Sequence, residues 1–192
     1  MKYILLFLAI WLSTTGNSQS WTKQYDNVDE FTSGLAKVTK GNKQGFVDKE
    51  GKLVVPLAYE EVLHFKEGMV AVKKENKWGY LDSTGKEIIA MQYSDANSFS
   101  EGLAVVMKAN RYGFIDKTGA VILPFQYENA LSFSEGMAAV NKNGLWGFID
   151  NSGKEVIACK YGFAGSFSEG TAKVMKGGAW AMIDRTGKKV EE

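Results

Sequence analysis

Carboxylates recur along this chain at a fixed interval. Asp48, Asp82, Asp116, Asp150 and Asp184 stand 34 residues apart, and Glu67, Glu101, Glu135 and Glu169 keep the same interval. Two chemistries use repeated carboxylates. A calcium site gathers six or more oxygens about one ion, and a glycosidase sets two carboxylates in unlike environments so that only one holds a proton. Neither fits here. One aspartate per repeat, with no D-x-D spacing, supplies too few ligands, and glutamates in the same slot of successive units share one environment. His64, the only histidine, stands in a slot filled elsewhere by Ser98, Ser132 and Ser166, so no triad or metal set forms around it. Cys159, the only cysteine, shares its slot with Leu57, Met91 and Phe125 and reads as a small core hydrophobe. No metal, cofactor or catalytic residue is expected, and the chain is not expected to be an enzyme.

A second row is aromatic. Trp78, Tyr112, Trp146 and Trp180 share one slot, with Gln44 in the first copy. Such a row in an open groove would stack on sugars or cationic groups. Packing between units is the simpler role for it.

The interval itself decides what positions these residues. Phe31, Phe65, Phe99, Phe133 and Phe167 mark five repeat starts without insertions, each followed three residues later by Gly34, Gly68, Gly102, Gly136 and Gly170. A tyrosine recurs at Tyr25, Tyr59, Tyr93, Tyr127 and Tyr161. A 34-residue period also suits helical pairs, but the recurring glycines would sit inside those helices at about 1 kcal/mol each. The apolar residues also lack a spacing of three and four. Strands fit instead. In the third copy Leu103–Met107, Arg111–Asp116 and Ala120–Phe125 read as a three-stranded antiparallel meander. The aspartates above open D-x-x-G turns that close on Gly51, Gly85, Gly119, Gly153 and Gly187. The aspartate accepts from backbone amides and the glycine takes the positive φ a tight turn needs. The second strand is apolar on both faces: Phe46, Tyr80, Phe114 and Phe148 on one, Val47, Leu81, Ile115 and Ile149 on the other. A sheet of that kind must be covered on both sides, and its neighbours in an array do so.

Residues 1–20 read as a signal peptide: Lys2, then an apolar run from Tyr3 to Leu12, then small polar residues. That run is too short to span a bilayer. An exported chain, periplasmic, at the cell surface or extracellular, is expected, with residues 21–192 as one repeat domain and no transmembrane segment in it. Lys and Arg number 23, one of them Lys2, against 22 Asp and Glu. A balanced chain has no bulk electrostatic reason to bind nucleic acid. Residues 21–30 match the closing segment of a repeat, and with the truncated fifth copy they make one split unit. An open solenoid-like array is expected, with a closed propeller-like toroid as the alternative. The polar Lys188–Glu192, where other copies carry apolar pairs such as Ile88 and Ile89, favours the open form.

Asn76–Ile89 (NKWGYLDSTGKEII) and Gly144–Ile157 (GLWGFIDNSGKEVI) resemble the WG repeat, a β-rich tandem repeat seen mainly in bacterial proteins. Tyr127, Ala130, Phe133, Glu135, Gly136, Ala138 and Val140 match its flanking elements. Gln44 in place of tryptophan and Ala181 in place of glycine depart from the pattern. The resemblance implies an interaction or scaffold module with no general enzymatic activity. A protein partner is expected, with a glycan or cell-wall ligand as the alternative.

Overall fold

Short β-branched and aromatic runs, broken by Asp-x-x-Gly and Lys-Asn-Gly turns, have too little length for helices and the right composition for strands. The computed structural model describes residues 20–190, and these form five antiparallel sheets. The first sheet comprises β1 (Asn27–Val28), β2 (Ala36–Lys40), β3 (Lys43–Val47) and β4 (Leu53–Tyr59). The second holds β5 (Glu61–Val62), β6 (Met69–Lys74), β7 (Lys77–Asp82) and β8 (Glu87–Tyr93). The third holds β9 (Asp95–Ala96), β10 (Leu103–Lys108), β11 (Arg111–Asp116) and β12 (Val121–Tyr127). The fourth holds β13 (Asn129–Ala130), β14 (Met137–Lys142), β15 (Leu145–Asp150) and β16 (Glu155–Tyr161). The fifth has β17 (Phe163–Ala164), β18 (Thr171–Lys176) and β19 (Ala179–Asp184). Strands follow chain order in every sheet.

The meander expected in each copy is present, with one addition. The segment after each tyrosine, read from the sequence as a loop, contains a two-residue strand that opens the next sheet. Amides on either side of it hold it in place: Glu60 and Leu63 N–H donate to the carbonyls of Lys73 and Ala71 at 2.8 and 2.9 Å. Each sheet therefore begins four residues before the repeat phenylalanine.

The doubly apolar strand packs as its pattern demands. Tyr80 faces the third sheet and Ile115 faces back, in one core with Trp78, Ile89, Phe99 and Val106. Phe114 and Ile149 repeat that arrangement one joint on, and Phe148 and Ile183 do so again. The last four repeat phenylalanines lie against the aromatic residue of the preceding sheet: Phe65 on Phe46, Phe99 on Tyr80, Phe133 on Phe114 and Phe167 on Phe148, with ring centroids 5.0, 4.9, 5.0 and 4.8 Å apart. Pairs of this kind contribute about 0.5–1.5 kcal/mol each beyond area burial.

The array is open. The first and last sheets share no strand, and β19 pairs with β18 and, through a single bridge, with Lys189. A short 3-10 helix, Ser20–Gln24, packs Trp21 over the outer face of the first sheet with Tyr25 and Phe31, covering Ala36, Val38 and Val47. The predicted signal peptide lies outside the described residues, apart from Ser20. No helix among the described residues is long and apolar enough to cross a membrane.

Candidate functional site

The repeated polar residues meet at the turns and at the seams between sheets. Asp82 Oδ1 accepts from Thr84 N–H at 2.8 Å, Thr84 Oγ1 at 2.6 Å and Lys86 N–H at 3.1 Å. Asp116 makes the same three bonds to Thr118 and Ala120, Asp150 to Ser152 and Lys154, and Asp184 to Thr186 and Lys188. Asp48 makes two, to the amides of Glu50 and Lys52. The hydroxyl of Thr84, and the neighbouring amides with it, hold the Asp82 carboxyl below its ordinary pKa, and the Asp116, Asp150 and Asp184 carboxyls are lowered in the same way. One oxygen of each is thus spent on its own turn. No group of three or more His, Cys, Asp or Glu suited to a metal occurs among the described residues.

The turn glycines serve the joint as well as the turn. A Cβ on Gly119 would sit 3.4 Å from Ile89 of the preceding sheet, on Gly153 2.7 Å from Leu123, and on Gly187 3.2 Å from Ile157. On Gly51 it would collide with the Trp21 indole and on Gly85 with the Val54 carbonyl. Each turn is a hollow for the preceding unit's peripheral strand.

The repeat glutamates cross the seam outright. Glu67 accepts from Gly102 N–H at 3.1 Å, Glu101 from Gly136 N–H at 2.9 Å and Glu135 from Gly170 N–H at 3.0 Å. Ser100 and Ser134 Oγ donate across the same seam to the carbonyls of Phe133 and Phe167 at 2.8 and 2.7 Å. All four glutamates hold φ between 52° and 54°, a left-handed conformation that costs an ordinary residue about 1–2 kcal/mol. The turn itself sets this conformation, since Glu169 and Ser33 hold it at 53° and 52° in the same slot without a bond of that kind among the described residues. Partial burial works to raise the Glu67 pKa, but the Lys117 ammonium, 3.1 Å away, and the Gly102 amide outweigh it and leave the carboxyl below its usual value. Nothing in one repeat signals this bond, because donor and acceptor lie 35 residues apart.

Of the aromatic row, Trp78 and Trp146 are buried in the joints. Tyr112 is half-buried and donates to Asp95 Oδ2 at 2.8 Å, its phenol pushed up to about 12 by desolvation and that carboxylate. Gln44, in the tryptophan slot, reaches the next sheet and accepts from Val62 N–H at 3.0 Å. Trp180 is 52% exposed and stands 5.4 Å from Phe163. A continuous stacking groove is therefore not formed, and Trp180 is the member of the row open to a ligand. The central glycines have a role of their own. A Cβ on Gly113 would lie 2.8 Å from the Leu123 carbonyl, because β12 bulges across it within the same sheet. Ala181 is tolerated where β19 lacks that long partner strand.

Burial, register and seam bonding define an open tandem β-repeat array. The WG containing repeat matches residues 22–43, 45–78, 78–112, 112–146 and 146–180, and the chain belongs to that family. No curated protein matches it. Among solved structures it is similar to Kluyveromyces lactis Hsv2, at 10% identity and TM-score 0.55, over 82% of this chain and 58% of that one. It is also similar to a eukaryotic initiation factor, at 11% identity and TM-score 0.56, over 88% and 55%. The chain thus spans a little over half of these β-propeller-like structures, and the likeness is one of fold.

Proposed function

We propose that this chain is an exported, non-enzymatic interaction module that presents a periodic surface to a protein partner. The observation that carries this reading is an apolar row on the peripheral strands of the second to fourth sheets, continued by Val190 after β19. Ile88, Ile122, Val156 and Val190 occupy one slot at the 34-residue interval and are 39, 45, 43 and 38% exposed. Val54 continues the row, half-buried. A β-branched side chain left in water once per unit offers a partner a regular apolar strip. The carboxylates and most of the aromatic row, by contrast, are occupied in holding the array together. Export rests on the character of residues 1–20.

The test is affinity capture from a native cell envelope with residues 21–192, beside a variant carrying Ile88→Ser, Ile122→Ser and Val156→Ser. A protein captured by the first and lost with the second supports the reading. Equal capture by both removes the apolar strip as the binding surface. A glycan reading is favoured by one feature, exposed Trp180 beside Phe163. A glycan panel on which Trp180→Ala alone abolishes binding would establish it in place of a protein partner.

A further inference from the structure

Among the described residues no sheet packs on the outer face of the fifth, which presents half of a joint. Its outer face carries Trp180, Met182 and Phe163, 52, 39 and 42% exposed, in or beside slots that are covered by the next sheet in every other unit. Ser168 and Glu169 stand where Ser134 and Glu135 bond across a seam, and no such bond engages their side chains among the described residues. Among the described residues no long peripheral strand follows β19: on that edge Lys189 and Val190 lie beside it, through the Ile183–Lys189 bridge and the Val190 N–H to Met182 carbonyl bond. In the slot of Val55, Ile89, Leu123 and Ile157 the fifth copy has Glu191, an acid where the others are apolar.

The other end of the chain holds the complementary half. Trp21 and Tyr25 stand one repeat before Val55 and Tyr59, so they fill the peripheral-strand slots of a unit that precedes the first sheet. Trp21 sits in the Gly51 hollow as Ile89 sits in that of Gly119. Among the described residues no long inner strand accompanies that segment. At the same seam the Phe31 carbonyl and the Gly34 amide take the places of Phe167 C=O and Gly170 N–H, which elsewhere receive the serine and the glutamate of the preceding unit. Within the described residues, one end shows inner strands without a long peripheral strand, and the other shows the peripheral segment without inner strands.

We propose that the two ends join between copies: the fifth sheet of one chain docks on the N-terminal segment of a second, and the chain self-associates head to tail. Residues 20–25 of the second copy, which include the 3-10 helix Ser20–Gln24 in the single chain, would extend along β19 and complete the sheet while Trp21 stays in its own Gly51 hollow. Ser168 and Glu169 would then meet Phe31 C=O and Gly34 N–H of that copy. The internal joints are the template for the contact, and a heterologous contact of this kind builds rings or filaments rather than isologous pairs. One residue weakens it. Lys173 stands in the slot of Ala71, Val105 and Ala139; the first copy has Lys37 there with Asp29 3.2 Å away, but the fifth has Gly165 in the Asp29 slot, and the Lys173 ammonium lies 4.6 Å from the Trp180 ring centroid. Burying it costs free energy unless its stem lies along the ring with the charge in water, so the joint is reversible. This inference does not depend on the partner or the export proposed above.

The test uses residues 21–192, which contain all five cores, in sedimentation velocity over a range of concentrations. The wild-type chain is expected to show mass rising with concentration. Trp180→Asp blocks the tail, and Trp21→Ala blocks the head. Lys23→Pro is a second head variant that leaves Trp21 in place and removes an edge amide. Each variant alone is expected to stay monomeric, with circular dichroism showing the folded sheet. A tail-blocked and a head-blocked variant mixed together should form a one-to-one dimer and nothing larger. Lys173→Ala should tighten association by about tenfold or more, the size of effect that 1.4 kcal/mol produces. A monomeric wild-type chain at every concentration overturns the proposal. So does a folded Lys23→Pro chain that associates as wild type does, which would indicate symmetric pairing of two fifth sheets.

Discussion

Asp116 shows how a residue that looks catalytic is spent on backbone. Its Oδ1 takes three hydrogen bonds within five residues of chain, and the Thr118 hydroxyl, first among them, lowers its pKa. Asp82, Asp150 and Asp184 are lowered alike. The native turn therefore holds fewer protons than the unfolded chain. The stabilisation is complete above the unfolded aspartate value of about 3.9 and is lost as pH falls through the lower native values. Thermal melting followed from pH 7 to pH 2 should show a flat upper range and a steep decline below about pH 4. Asp116→Asn keeps the acceptor and loses the proton site, so it should melt lower at pH 7 and fall less steeply in acid. A parallel decline in wild type and variant would assign the acid sensitivity elsewhere. The seam glutamates add a second use of carboxylate, tying units together through amides 35 residues away.

At the scale of the element, the central glycine sets the shape of each sheet. β12 shifts register between its pairings with Tyr112, Phe114 and Ile115, and the bulge passes directly over Gly113. A side chain there forces the strand away, an overpacking cost of about 1–3 kcal/mol. Gly113→Val should lower the melting temperature by several degrees, about 2–4 °C per kcal/mol for a chain of this size. Ala181→Val, at the same slot of the fifth sheet, meets no such strand and should cost less than half as much. Equal shifts in differential scanning calorimetry would contradict the assignment of the bulge as the cause. The peripheral strands also carry Pro56 and Pro124, residues that blunt the edge of a sheet against further pairing.

For the whole molecule, stability runs along the array. Sheets two to four are covered on both faces, the first is covered on its outer side by Trp21, Tyr25 and Phe31, and the fifth leaves Trp180 and Met182 in water. A quasi-linear array opens from its least-covered end. Native-state hydrogen exchange should find the amides of β18 and β19 the fastest among the long strands and those of β10 and β11 the slowest. Uniform protection across the five sheets would mean a single cooperative unit without end effects.

Much of this was legible in one dimension. The interval from Phe31 to Phe167, the D-x-x-G turns and the two-faced strand at Arg111–Asp116 are local patterns, and each specifies its turn, strand or covered face without reference to distant chain. The two-residue strands were not legible, because Glu61–Val62 carries too little pattern to be told from loop until β6 lies beside it. Nor was the fate of the aromatic row. Trp78, Trp146 and Trp180 occupy identical slots, and only the presence or absence of a neighbouring sheet buries the first two and exposes the third. The sequence by itself determined the repeat, its turns and its two-faced strand, since these depend on backbone chemistry within a few residues. The tertiary structure decided which side chains are spent at the seams and which remain free, since exposure depends on what packs from 34 residues away.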